Sequence, residues 1–401
     1  MTKNGEAKGV KTLKLALRKS GTWIEASWSE ELKGGAVKPI SDIYAIPLRD
    51  LKTQSDNVRT ALAGIEQYRS TDANLEPLLH KLAQAGEKLY ETLLTGDLEH
   101  RLSARTAEQF RDWFEKNVIP SPGKWRIQVV HEDYNAPVVP WGLVFTPLTI
   151  GKITDLGETW QEYNNFWALS FQLACRGINR DVADGLPDIN GDDAVLAMTI
   201  KVEDRIVQKY NKDAINRHDY RQQVTSTIKT FEQFPDDRLK HNIFWYVYLN
   251  EGESGYYLED QEIEPSAIQM MVKSRRSSVM IMFLDGNAVI GGERGAKWVQ
   301  AILHSGHTGI IAAETDIVNP VVNDRGWEFW IYILQVEHKT LLTAITEARQ
   351  KFWPESLLYG VYCDPVNIEF EPTPHDEVVK AQRFMKFVRE EIGQNEEVMD
   401  A

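Results

Sequence analysis

Apolar and polar residues alternate first along this chain, over residues 14–17, 22–28 and 42–46, and the alternation is interrupted by Gly21, by the Gly34–Gly35 pair and by Pro39. A period of two bounded by turn residues predicts short β-strands with one buried face. From residue 48 to about 116 the spacing lengthens to three and four, through Leu62, Ile65, Leu78, Leu82, Leu89, Leu93 and Leu94 and on to Phe110, Trp113 and Phe114. That period predicts antiparallel helices behind a small β element. IPSPGK, residues 119–124, breaks the pattern, and WRIQVVHED then reads as a strand. APVVPWGLVF, residues 136–145, follows as a packing element whose Pro140 enforces an extended approach.

Residues 150–195 are polar and interrupted by glycine between 177 and 191, with FWALSFQLA as a buried segment. Beyond residue 194 the rhythm becomes strand and helix in turn. Strands are expected at 195–200, 243–249, 279–284 and 309–313. Helices are expected at 202–210, 220–231, 265–273, 296–303, 322–336 and 341–351. Continuous apolar strands separated by helices predict an α/β fold, a mainly parallel sheet flanked by helices. The organisation expected is an N-terminal β and helical part over 1–120, an α/β core over 121–373 and an acidic tail over 374–401.

Composition narrows the function classes. A hydrophobic fraction of 42% with 12 Trp, 14 Tyr and 14 Phe supplies a large core, and a net charge of −14 argues against nucleic acid as the main partner. The basic stretch at residues 273–276 reads as a solvated face. Two cysteines, Cys175 and Cys363, form no disulfide framework and fit a reducing compartment. Residues 1–27 have no signal-peptide core and no apolar run approaches the roughly 18 residues of a membrane span, so a cytoplasmic protein without a membrane partner is expected.

Candidate chemistry gathers at two strand ends. HNIFWYVYLNEGESG breaks at Asn250, Glu251 and Gly252, and SSVMIMFLDGNAVIGGER breaks at Asp285, Gly286 and Asn287. In an open α/β sheet, side chains past the carboxyl ends of the strands face the ligand crevice. Glu251 with Asp285 offers a carboxylate pair for acid and base chemistry, although strand-end carboxylates without a nucleophile more often serve as capping or pocket groups. His304 and His307 stand three apart but flank Gly306, and lack an acidic partner at metal spacing. The stretch at residues 189–193 resembles part of a calcium loop without its closing acidic ligand, so no metal is expected. GGERGAK, residues 291–297, lacks the P-loop spacing, and no cofactor is expected. Cys175 and Cys363 read as buried structural thiols, and Trp298, Trp327, Phe329, Trp330 and Trp353 as mostly core with one or two available to an interface.

Four segments carry a family resemblance. APVVPWGLVF resembles the l-P-W-E-L element of CHAT domains, bacterial members of the caspase-like peptidase superfamily, and GEKLYETLL (86–94) resembles their G-x-x-L-Y-x-x-L helix. WVQAILHSGHTGIIAAE (298–314) is similar to the a-L-L-x-A-G-A-x-x-V-I-A approach, and TAITEARQKF with LLYGVYCDP (343–365) to the A-l-x-x-A-R and Y-x-x-Y-G-D-P close. The resemblance implies a caspase-like fold over roughly residues 12–370. It also implies a His-Gly ending on the first strand and a nucleophilic Cys after the second. This chain carries Glu251 in the histidine position and Asn287 in the cysteine position.

Asn supplies no thiolate and Glu no imidazole relay, so the expectation is an inactive, protein-binding relative. It would serve as a regulatory or adaptor subunit in bacterial signalling or antiviral defence, paired with another protein such as a peptidase or a repeat-containing sensor. The rival expectations are a cysteine peptidase with a shifted dyad, a hydrolase using the two carboxylates, and a structural subunit of a larger assembly.

Overall fold

A computed structural model describes residues 10–177 apart from 33–34, 69–73, 98, 100 and 134; beyond them it describes 189–190, 195–199, 223–224, 243–251, 256–258, 261–263, 280–286, 290, 293–304, 308–317, 325–326, 328–330, 332–333, 340–364 and 368–369. The expected helices at 202–210 and 265–273 and the acidic tail lie outside the described residues, as do Trp327 and His307.

The alternating N-terminal segments form β1 (Lys11–Ser20) and β2 (Trp23–Glu31), antiparallel about a turn at Gly21 with φ of 62°. Positive φ is the conformation glycine adopts without cost. Leu13, Leu15 and Leu17 on one strand and Ile24, Ala26 and Trp28 on the other are buried, as a half-buried sheet requires. β3 (Val37–Pro39) and β4 (Tyr44–Pro47) both pair antiparallel with β2. β5 (Trp125–His131) lies parallel to β1, and β6 (Gln172–Gly177) lies parallel to β5. The first sheet thus runs β3-β2-β1-β5-β6 and draws on both sides of residue 120.

Three helices cover its buried face: α1 (Leu48–Gln67), α2 (Leu75–Thr95) and α3 (Arg101–Asn117). α2 starts where the Asn74 side chain accepts the Glu76 amide at 3.2 Å and stops at Gly96, whose φ is 66°. Trp28 stacks on Phe110 at 4.5 Å, and its indole N–H donates 2.9 Å to the Tyr44 hydroxyl, which donates 3.0 Å to the Leu93 carbonyl. This chain of bonds satisfies the polar ends of two wholly buried aromatics and ties sheet to helix. Gly86 of α2 admits residues 141–145 to the helix surface: Phe145 N–H donates 3.1 Å to the Gly86 carbonyl, and a Cβ at Gly86 would lie 2.4 Å from the Leu143 carbonyl oxygen.

The second sheet contains β8 (Val195–Thr199), β9 (Gln223–Val224), β10 (Ile243–Glu251), β13 (Met280–Gly286) and β14 (Thr308–Ala313), all parallel neighbours in the order β9-β8-β10-β13-β14. β15 (Tyr359–Tyr362) closes one edge antiparallel to β14, while β11 (Tyr256–Leu258) and β12 (Gln261–Ile263) continue from the end of β10 as an antiparallel ribbon. A separate parallel pair joins β7 (Ile189–Asn190) to β16 (Ile368–Glu369). The helix expected over 220–231 is corrected at Gln223–Val224, which pair with Ala197 and Met198; the exposed edge of β8 overrides local helical periodicity there.

A single turn, α4 (Trp167–Ser170), precedes β6; α5 (Glu293–Leu303) packs on β14 and β6, and α6 (Leu341–Lys351) packs on β6 and α4. Phe283 of β13 packs 5.2 Å from Trp330 and 4.9 Å from Tyr359, and Trp298, Phe329 and Trp330 are buried. A mixed α/β fold with a largely parallel sheet flanked by helices is therefore present. No helix among the described residues is long and apolar enough to cross a membrane.

The two sheets meet where β6 faces the end of β15. Cys175 N–H donates 2.8 Å to the Cys363 carbonyl, and the Gln128 amide donates 2.5 Å to the Asp364 carboxylate.

Candidate functional site

The two strand ends singled out by the sequence are neighbours. β10 and β13 pair in parallel with Tyr248 opposite Asp285 and Leu249 opposite Gly286, so their carboxyl ends finish side by side. Both strands run further than their polar residues suggest. β10 continues through Asn250 and Glu251, which pair with Tyr257 and Tyr256 of β11, and β13 continues through Asp285 and Gly286. The expected breaks at Asn250–Glu251 and after Leu284 are thus corrected. One partner strand keeps each pair of polar residues in a ladder, β11 for Asn250 and Glu251 and β10 for Asp285 and Gly286. Gly252 and Asn287 lie outside the described residues.

The next strand adds a carboxylate that sequence reasoning missed. Leu284 pairs with Ala312, and β14 ends one residue before Glu314, which is 1% exposed. Arg59, on the apolar face of α1, donates through Nε 3.0 Å to Glu314 and through Nη2 3.2 Å to the Val138 carbonyl. The Tyr362 hydroxyl donates to Glu314 and lies 3.2 Å from the Val139 carbonyl. Burial pulls the Arg59 guanidinium down, but the charges of Glu314 and Tyr362 and the hydrogen bonds to them together outweigh it, and the group titrates above its ordinary range. Burial, then the Glu314 charge, holds the Tyr362 phenol well above its ordinary range. The signal for Glu314 was present: TGIIAA runs into it as MIMFL runs into Asp285. The signal for Arg59 was its helical spacing with Ser55 and Leu62 on the buried side of α1.

Arg349 of α6 completes this buried cluster. Its guanidinium donates 3.4 Å to the Ala168 carbonyl and 3.2 Å to the Tyr359 carbonyl, and it lies beside Gly142. Desolvation draws its pKa down to about 10.

Both cysteines of the chain lie at the seam between the sheets and are wholly buried. Burial, and then the neighbouring Cys363, pushes the Cys175 thiol well up; burial, and then Asp364, pushes up the Cys363 thiol. A thiol held in its neutral form is a poor nucleophile. His131 ends β5 on the sheet face that Cys175 shares, two residues along in the register. Its Nδ1 is taken by Gln300 at 2.9 Å and its Nε2 meets no partner among the described residues, so neither ring nitrogen is bonded to a thiol there.

Among the described residues no group of three or more His, Cys, Asp or Glu side chains is placed to hold a metal ion. The calcium-like stretch contributes Ile189 and Asn190 to β7, its remainder lying outside the described residues, and GGERGAK enters α5 from Glu293 onward. The arrangement offers a sheet end bearing carboxylates, one of them neutralised internally by Arg59, and two thiols shut away from it. Compared with known protein families and with curated proteins, this chain matches neither a family nor a curated sequence.

Proposed function

We propose that this chain is a caspase-like, CHAT-like protein that binds another protein at the carboxyl ends of β10 and β13 and performs no peptidase chemistry there. The observation that carries the reading is the β10–β13 register, which sets Asp285 and Gly286 opposite Tyr248 and Leu249, so that both strands reach the same end of a parallel sheet, with Asn250 and Glu251 next along β10. That is where open α/β sheets receive ligands.

Two further observations support it. The four segments that carry the family resemblance converge on one buried cluster. Residues 136–145 supply the Val138 and Val139 carbonyls and Gly142, residues 298–314 supply Glu314, and residues 343–365 supply Arg349 and Tyr362. The fourth segment, which starts at Gly86 inside α2, docks on the same 141–145 segment. The buried, neutral thiols count against a peptidase with a relocated cysteine.

Two acidic residues, Glu251 and Asp285, belong to the strand ends at this end of the sheet, and the ligand that complements them is a basic peptide segment of a partner subunit. The test compares proteins captured from the native host by the wild type and by Glu251→Lys/Asp285→Lys, with circular dichroism to verify folding. A partner held by the wild type and lost by the folded variant supports the groove. An identical partner set in both overturns it. Hydrolysis of a peptide library by the wild type, abolished by Cys175→Ser or Cys363→Ser, would restore the peptidase reading.

A further inference from the structure

A second polar cluster, separate from the groove, joins α5 to the ends of β5 and β6. His131 closes β5, is wholly buried, and stands opposite Gly177 at the end of β6. The side-chain nitrogen of Gln300 on α5 lies 2.6 Å from the Ala136 carbonyl and 2.9 Å from His131 Nδ1. A carbonyl only accepts, which assigns this atom as the amide NH2 and makes Nδ1 the second acceptor. The neutral ring therefore carries its hydrogen on Nε2, which is buried and meets no acceptor among the described residues.

His304, one turn beyond Gln300, lays its ring on Gly177. A Cβ added at Gly177 would fall 2.7 Å from His304 Nδ1 and 2.6 Å from the Leu303 carbonyl oxygen. A helix that also packs on β14 of the second sheet is thus seated on the first sheet through two histidines and a glutamine.

We propose that this cluster is an acid-sensitive latch, in which protonation of His131 releases α5 from the ends of β5 and β6. A proton on Nδ1 turns an acceptor into a donor that faces the Gln300 NH2, so the bond that seats α5 is lost. The same proton places a charge in a buried site beside a second imidazole. Among the described residues the titratable groups acting on the ring are His304, which opposes protonation, and Asp133 in the loop after β5, which favours it. β1 and β6 set Leu17 and Gly177 beside it, neither of which titrates.

Burial, reinforced by His304, holds the His131 pKa down to about 3 in the closed state, against the ordinary 6.5 of an exposed ring. The open form therefore binds the proton more tightly. Opening is unaffected above the ordinary value and grows as pH falls below it. From pH 7.5 to pH 5 the ratio of open to closed rises about 30-fold by this linkage. The inference does not rest on the groove, although α5 begins only a few residues after Gly286.

The experiment is native-state hydrogen exchange on the full chain at pH 7.5 and pH 5, corrected for intrinsic exchange. The amides of α5 are followed with those of α1 as an internal reference. The expected result is an opening constant for α5 that rises about 30-fold in the wild type, stays within about twofold in His131→Gln, and stays level in α1. A flat α5 in the wild type overturns the latch, and so does an equal rise in His131→Gln. Should His131→Gln not fold, the wild type alone decides: a rise confined to α5 supports the latch, and an equal rise in α1 overturns it.

Discussion

A guanidinium withdrawn from water needs an opposite charge and acceptors for its remaining N–H groups, and Arg59 finds them in Glu314 and the Val138 carbonyl. Removing Glu314 alone strands a buried cation. Glu314→Leu is expected to cost about 3–5 kcal/mol in urea unfolding, whereas Arg59→Met/Glu314→Leu, which removes both charges, costs clearly less than the sum of the single changes. Additive losses would mean that the two side chains act independently. The thiols give a second test at this scale. A chromogenic disulfide reagent is expected to leave Cys175 and Cys363 unmodified in the native protein and to count both of them after denaturation. Rapid native labelling of either thiol would contradict the buried seam and reopen the peptidase reading.

At the scale of elements, the decisive contacts are places where a side chain is missing. Gly86 lies inside α2, where alanine has the better helix propensity, yet a Cβ would press on the Leu143 carbonyl oxygen at 2.4 Å. Gly86→Ala is therefore expected to destabilise by about 1–3 kcal/mol despite its propensity gain, while Gly123→Ala, which meets nothing within 4 Å, stays near neutral. Equal midpoints for the two variants in thermal unfolding would show that residues 141–145 do not press on α2. These elements were legible to different degrees. Strands and helices with one apolar face, such as β2 and α1, announce themselves because burial imposes their period. The extension of β10 through Glu251 did not, since the Tyr256 and Tyr257 backbone that keeps it extended comes from a separate strand. The positions of Asp285 and Glu251 at neighbouring strand ends could be read from strand-end logic alone. Glu314 was passed over although its strand end has the same form, and Arg59 and His131 take their meaning from partners 255 and 169 residues away.

On the scale of the whole molecule, the question is whether the two sheets are separate folding units. Their contacts argue that they are not: the Cys175–Cys363 backbone bond, the Gln128–Asp364 pair, the Arg59–Glu314 pair and the Gln300–His131 bond each take one partner from residues before 178 and one from residues after 290. Most of these groups are buried, so parting the sheets exposes apolar surface and leaves a guanidinium, a carboxylate and several amides to be rehydrated at once. A division of that kind carries no stable half, and the sheets are expected to open together. Hydrogen exchange across a urea series tests this, with the most protected amides of β5 reporting on the first sheet and those of β13 on the second. The two sets should converge on one opening free energy with one denaturant slope. If β13 opened several kcal/mol below β5 with a smaller slope, the second sheet would be a unit of its own, and the buried cluster around Glu314 would be an interface between domains instead of a shared core.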